Sequence, residues 1–484
     1  MKSINVQRNG LTLHPDRGRV LIRAFRLANE QRVVNICARV MALSEEEVRL
    51  LLDQVLAEFA GRHQQTRDLF MARYERVKGS LLTNQKLSEE RKLLLGAYFT
   101  HEYALEAAAL FNPSVVPHPD QSGLPAGALR FILSLRATGE GHISSVTFRT
   151  GFVDAQNQIS INTPTRFLAE PRHMPNASYD KALFEGKLYE LGLAGVFTRR
   201  VLGELMESFT LSDLQKKLDS VLRQMRATDP ESESVAKGIL HLAQSNYEVQ
   251  FPPESRLSER VIFPSSPSQT NGIEDARFVQ FQNEDGTLTY YATYTAYDGK
   301  LILPQLLETP DFLHFRFITL NGSAVQNKGM ALFPRKIHGL YAMLSRQVNE
   351  NIYLMYSDNI HFWHEAQVVL KPTFPWEFVQ LGDCGSPMET EAGWLVLSHG
   401  VGPMRKYCIG AFLLDRDDPA KAIGRLSEPL LKPTETEREG YVPNVVYSCG
   451  ALIHNGELIL PYAMSDYATN FATVRVDEIL AAMA

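Results

Sequence analysis

Between about Gln250 and Arg475 the chain repeats one local event, a short apolar or aromatic run that ends on a polar turn. Tyr290 to Thr295 leads into Tyr297-Asp298-Gly299, Ile352 to Ser357 into Asp358-Asn359, Trp394 to His399 into Gly400, and Leu458 to Ala463 into Ser465-Asp466. β-Branched and aromatic runs closed by turn residues such as Asp-Gly read as strands. Intervals of roughly 40 to 65 residues leave room for a small antiparallel sheet in each unit. Radial repetition of such sheets is a β-propeller, in which each inner strand delivers polar residues toward the axis. Leu129 to Arg136 and Ile143 to Arg149 add a further unit. A β-sandwich is the other architecture open to these strands.

Two blocks have the helical period instead. Ser44-Glu45-Glu46-Glu47 places a cap residue before a run of acids, and Val48, Leu51, Leu52, Val55, Leu56 and Phe59 follow at helical spacing. Ser88-Glu89-Glu90-Arg91 opens a similar pattern through Leu93, Leu94, Tyr98 and Leu105. The period changes near Phe111-Asn112-Pro113, and a second helical block runs from about Tyr179 to Tyr247, broken at Asp229-Pro230, which caps the next helix. The expected organisation is a mainly β chain: an N-terminal helical region (1–108), a first blade (109–178), a helical insertion (179–248) and the remaining blades (249–484).

Composition narrows the function classes. The 484 residues suffice for a large core, and 44% hydrophobic with 21% charged residues is ordinary for a soluble protein. A net charge of -6 offers no attraction to nucleic acid or to an acidic membrane. Cys37, Cys384, Cys408 and Cys449 lack CxxC spacing and read as free core thiols. The start, Met1 to Gly10, carries no signal-peptide apolar core, and no apolar run reaches membrane-spanning length, so a cytoplasmic location is expected. His361 and His364 have a spacing that suits metal ligands, but no third ligand accompanies them, and no metal is expected. Ser398-His399 lacks the Gly-x-Ser-x-Gly elbow of a serine hydrolase, and Walker-type phosphate loops are absent.

The densest chemistry lies in Asn271-Gly272-Ile273-Glu274-Asp275-Ala276-Arg277-Phe278-Val279. Two carboxylates and a guanidinium in four residues, set in a strand-like run, need partners or a polar site. The segment resembles the Gly-Val-Glu-Asp-Pro-Arg motif of glycoside hydrolase family 130. Asn327-Lys328-Gly329-Met330-Ala331-Leu332-Phe333-Pro334, followed by Met343-Leu344-Ser345-Arg346, is similar to that family's next conserved strand. Ser386 to Gly400, Gly410 to Pro419 and Gly440 to Val446 resemble later segments in the same order. The first hundred residues and the block near 179–247 lie outside the resemblance.

The resemblance implies a five-bladed β-propeller and an inverting glycoside phosphorylase that cleaves β-mannosides with inorganic phosphate to give mannose 1-phosphate. It implies Asp275 as general acid, Lys328, Arg346 and His399 on phosphate, and Asn112, Arg136, Arg277 and Asp466 around the sugar. A leaving oxygen needs a proton, whereas an anionic phosphate needs cations rather than a protein base. Phosphate is then a co-substrate, and no other cofactor is implied. Two departures stand out: Ala276 replaces the usual Pro, and Glu389 stands where the phosphorylases usually carry Lys. Glu389, or another acid, would be the base of an inverting β-mannosidase, the alternative reading. A silent glycan-binding propeller is a third. The helical additions are expected to cover the rim or to build a homo-oligomer; neither nucleic acid nor membrane is an expected partner.

Overall fold

The computed structural model describes residues 4–81, 83–175, 177–224 and 230–483. Asp229, the expected cap of the last insertion helix, lies outside them, as do Met1 to Ser3. The chain is mainly β with helices. Its larger sheets number five among the described residues, and every pairing within them is antiparallel.

The first sheet orders the strands Ala109–Pro117, Leu129–Thr138, Ser144–Val153 and Val261–Ile262 side by side. The second runs from Ile273–Gln282 through Leu288–Tyr297 and Ile302–Thr309 to His314–Thr319, and Tyr247–Gln250 extends it. The third comprises Ala331–Leu332, Tyr341–Ser345, Ile352–Ser357 and Gln367–Leu370, and the fourth Gln380–Asp383, Gly393–Val401, Tyr407–Leu414 and Ala422–Arg425. The fifth sets Val446–Tyr447, Glu457–Met464 and Ala468–Arg475 beside Gln7–Arg8, so the N-terminal segment pairs with the last long strand. The runs that repeat in the sequence are inner strands of their sheets, each paired on both sides. The Asp298 turn forms as its composition demands: the carboxylate accepts from the backbone N–H groups of Lys300 and Leu301.

Four helices, Glu30–Met41, Glu45–Phe59, Thr66–Val77 and Glu89–Tyr98, take up about half of the first hundred residues. Ser44 caps the second through a reciprocal pair of bonds with Glu47, and Ser88 caps the fourth. A second group of four, Lys181–Glu190, Val196–Gly203, Leu211–Gln224 and Pro230–Gln244, carries its own core around Phe184, Leu188, Val201, Leu214 and Ile239. Its end differs from the helical reading: Tyr247 to Gln250 is strand, because Tyr247 and Val249 are buried against the second sheet. All four cysteines are free and buried. Among the described residues, no helix is long and apolar enough to cross a membrane.

The N-terminal segment is tied to the first sheet by buried charge. Glu106 Oε1 lies 2.9 Å from Arg19 Nε and accepts from Arg149 Nη2 at 2.7 Å, with all three side chains nearly inaccessible. Arg19 also donates to the carbonyls of Thr165 and Ser258. Removing a buried carboxylate leaves two guanidiniums uncompensated, a cost of about 3–5 kcal/mol. Glu106→Ala is therefore expected to lower unfolding free energy by about that amount in a urea titration; a change near zero would remove this triad as the tie.

Candidate active site

The polar residues of the first two sheets meet where both sheets begin. In Ala109–Pro117 the register slips between Phe111 and Ser114, and in Ile273–Gln282 between Glu274 and Arg277. Each slip is a β-bulge, which re-aims the side chain at the extra residue. Asn112 and Asp275 occupy these bulges with left-handed backbones, φ 47° and 55°. Such a conformation is costly for a residue with a side chain and persists where the surroundings impose it. Gly272, φ 126°, makes the approach feasible: a Cβ there would stand 3.0 Å from Ser144.

The bulges bring the two side chains together. Asn112 Nδ2 donates to Asp275 Oδ1 at 2.7 Å. Arg136, on the middle strand of the first sheet, spans both acids, with Nη1 3.2 Å from Asp275 Oδ1 and Nη2 2.9 Å from Glu274 Oε1. Its Nε donates to Ser144 Oγ at 2.8 Å, which fixes the guanidinium plane. Lys328 Nζ stands 3.7 Å from Glu274 Oε2, with its side chain 38% exposed. Burial pushes the Asp275 carboxyl up, but Arg136, Lys328 and Arg277 and the Asn112 bond outweigh it and hold it below the usual carboxylate range. Asp466, also in a left-handed backbone, behaves oppositely. Burial and then the charge of Asp275 push it up to about 6.

A second, deeper group contains Arg277, Arg346 and His399. Arg277 donates to Tyr447 Oη at 2.5 Å and lies 3.5 Å from Asp383 Oδ1. Arg346 is 5% exposed yet forms no ion pair among the described residues, and its Nε has no hydrogen-bond partner. Its Nη1 meets His399 Nε2 at 2.9 Å, while His399 Nδ1 lies 3.2 Å from the Asp383 carbonyl. A guanidinium only donates, so Nε2 accepts and Nδ1 carries the proton. Burial first, then Arg346 and Arg277, hold His399 well below its ordinary pKa, so it is neutral. In this geometry His399 Nε2 accepts from Arg346, so the ring orients that guanidinium. Arg277 and Arg346 flank Gly329, where a Cβ would sit 3.7 Å from each guanidinium.

Glu389 does not join either group. It lies on the strand Met388–Thr390, where Arg335 holds it at 2.8 and 3.0 Å and Arg416 at 3.1 Å. These bonds hold its carboxyl below the ordinary range and commit both oxygens, so it is not placed as a base beside Asp275. Asp383 and Tyr447 escape the sequence reading. An acid between buried Leu381 and Cys384 was a usable signal for the first. Tyr447, in a strand-like run, carried none.

Residues 222–484 match the family model described as beta-1,4-mannooligosaccharide phosphorylase. A 1,2-beta-oligomannan phosphorylase of Thermoanaerobacter sp. is 33% identical over 232 residues, which cover 46% of this chain and 75% of that protein. A beta-1,2-mannobiose phosphorylase of Listeria innocua serovar 6a is 30% identical over 227 residues, 45% of this chain and 62% of that protein. A solved beta-1,2-mannobiose phosphorylase from Listeria innocua, in complex with beta-1,2-mannobiose, aligns with a TM-score of 0.47 at 23% identity, covering 78% of this chain and 92% of that one. With the Glu-Asp-x-Arg strand, Lys328 and Arg346 in order along the matched region, the chain belongs to glycoside hydrolase family 130, the mannoside phosphorylase family.

Proposed function

We propose that this protein is an inverting phosphorylase of β-mannosides, with Asp275 as acid and Arg346, Arg277 and Lys328 as the cations that hold phosphate. The carrying observation is Arg346, a buried guanidinium with no carboxylate of its own among the described residues, beside a second guanidinium. A buried charge needs a counter-ion, and two guanidiniums facing one glycine suit an anion with several acceptor oxygens. The relatives' activities agree with this reading. We further infer that the five sheets are the blades of a propeller, with 109–178 and 249–484 forming it and 1–108 and 179–248 as helical additions at its rim or in an oligomer contact.

The chemistry follows from the charges. Asn112, Arg136 and Asp466 hold the mannosyl unit. Phosphate oxygen attacks the anomeric carbon from the face opposite the leaving group as the C–O bond breaks. The Asp275 proton reaches the departing oxygen through a sugar hydroxyl. The products are mannose 1-phosphate and the shortened acceptor. In the free protein Asp275 is ionised and Asp466 is the neighbour that keeps a proton up to about 6. Arrival of phosphate neutralises the cations that hold Asp275 low, and closure by sugar desolvates it; both raise its proton affinity.

A pH profile tests that assignment. Below about 6 the neighbouring Asp275 and Asp466 hold one proton between them, the proton that Asp275 must deliver, so kcat/KM is expected to fall as pH rises through about 6. Asp466→Asn should erase that inflection; an unchanged inflection would take Asp466 out of the proton inventory.

The activity itself is tested by incubating β-1,2- and β-1,4-mannobiose with and without inorganic phosphate and separating the products. Mannose 1-phosphate formed only with phosphate is expected. Free mannose released at the same rate without phosphate would establish a hydrolase instead.

A further inference from the structure

Away from the strand-end site, a cavity of about 1400 Å³ lies between the N-terminal helices, the second helical group and the outer edge of the first two sheets. Its lining carries four arginines, Arg23, Arg26, Arg73 and Arg76, against one carboxylate, Glu170. That excess runs against the chain's net charge of -6. Arg73 and Arg76 stand three apart on the helix Thr66–Val77, a like-charge spacing that destabilises a helix unless something compensates. Arg23 alone pairs with Glu170. Among the described residues Arg26, Arg73 and Arg76 form no ion pair; Arg26 and Arg76 are exposed to solvent, whereas Arg73 Nε is buried without a hydrogen-bond partner. Burial, then the charges of Arg76, Arg23 and Arg26, pull the Arg73 pKa down, so the guanidiniums sense one another.

Aromatic side chains lie beside Arg23. Tyr103 and Phe263 meet edge to face, ring centroids 5.2 Å apart, and Arg23 lies over the Phe263 ring at 4.1 Å. Gln244 and His173 supply donors and acceptors nearby. Forked cations suit a phosphate, and neutral polar groups suit the hydroxyls of a sugar. The volume exceeds the usual span of small-ligand pockets, about 300–1,000 Å³, and admits both parts with water.

We infer that this cavity is a second ligand site, which takes a phosphorylated sugar with its phosphate on Arg23, Arg73 and Arg76 and its hydroxyls toward Gln244 and His173. It is built from residues that the mannoside chemistry does not use.

Calorimetric titration of the full chain with mannose 6-phosphate, and separately with inorganic phosphate, tests it. Mannose 6-phosphate is expected to bind saturably and equally well to the parent and to Arg346→Gln. The double variant Arg73→Gln/Arg76→Gln should weaken it by about tenfold or more, because two charge-assisted hydrogen bonds to the phosphate disappear. Inorganic phosphate should bind the cavity of Arg346→Gln at least about tenfold more weakly, since it has no sugar hydroxyls for Gln244 and His173. Absence of saturable binding, binding indifferent to the double variant, or loss in Arg346→Gln alone would each overturn the proposal. Equal affinity for inorganic phosphate would overturn the sugar part and leave an anion site. Arg73 and Arg76 break no ion pair among the described residues when replaced, so circular dichroism should show the variant folded.

Discussion

Asp275→Asn is expected to lower kcat for phosphorolysis of a mannobiose by about 10³-fold, within the range for removing a positioned general acid. The amide keeps an acceptor for Asn112 Nδ2 and Arg136 Nη1, and Arg136 keeps its bond to Glu274. The cluster therefore survives while the proton disappears. A nitrophenyl mannoside, whose leaving group departs without a proton, should lose less than about tenfold. Those two substrates separate acid catalysis from a structural role. An equal loss on both, or a loss that tracks the folded fraction in a thermal melt, would mean that Asp275 serves only to pair with Arg136.

The second large effect concerns Arg346. Arg346→Gln is expected to raise the KM for phosphate by about 10²-fold, the equivalent of one or two charge-assisted hydrogen bonds. Affinity for the sugar should change little, because no sugar-side residue bonds to Arg346: its partner is His399. Arg346→Lys keeps the charge but loses the fork and should fall between the two. His399→Ala should move the phosphate KM in the same direction by a smaller factor, since it removes only the bond that aims the guanidinium. A phosphate KM indifferent to Arg346→Gln would move the anion site elsewhere in the molecule.

Much of this could be read along the chain, and the reasons for the exceptions are physical. Caps at Ser44 and Ser88 and the Asp298 turn were legible because each depends on neighbours within three residues. The strands were legible from composition alone. The bulges at Asn112 and Asp275 were not: no pattern of apolar alternation marks a slipped register, yet the slip is what turns both side chains toward one point. Pairing of Gln7–Arg8 with Thr473 and Ala472 joins opposite ends of the sequence, beyond any local signal. Tyr247 to Gln250 follows a helix directly and took on its period, until packing against Phe317 decided otherwise. Site residues came from ordered motifs, and the structure brings Asn112, Arg136, Asp275 and Lys328 into contact range. Glu389 shows the limit of position alone. Its charge departs from the family pattern, but Arg335, more than fifty residues earlier, answers that charge. The helical additions gave amphipathic periods and nothing about what they face; their arginines line a cavity that only the assembled chain reveals.

The account rests on a phosphate ion seated between Arg346 and Arg277, across the sugar from Asp275. A crystal structure of the Asp275→Asn variant with β-1,2-mannobiose and phosphate measures that placement directly. The expected map shows phosphate oxygens within hydrogen-bond distance of Arg346 and Lys328, aligned with the anomeric carbon on the face away from residue 275. Phosphate absent from Arg346, or bound on the same face as residue 275, would contradict it.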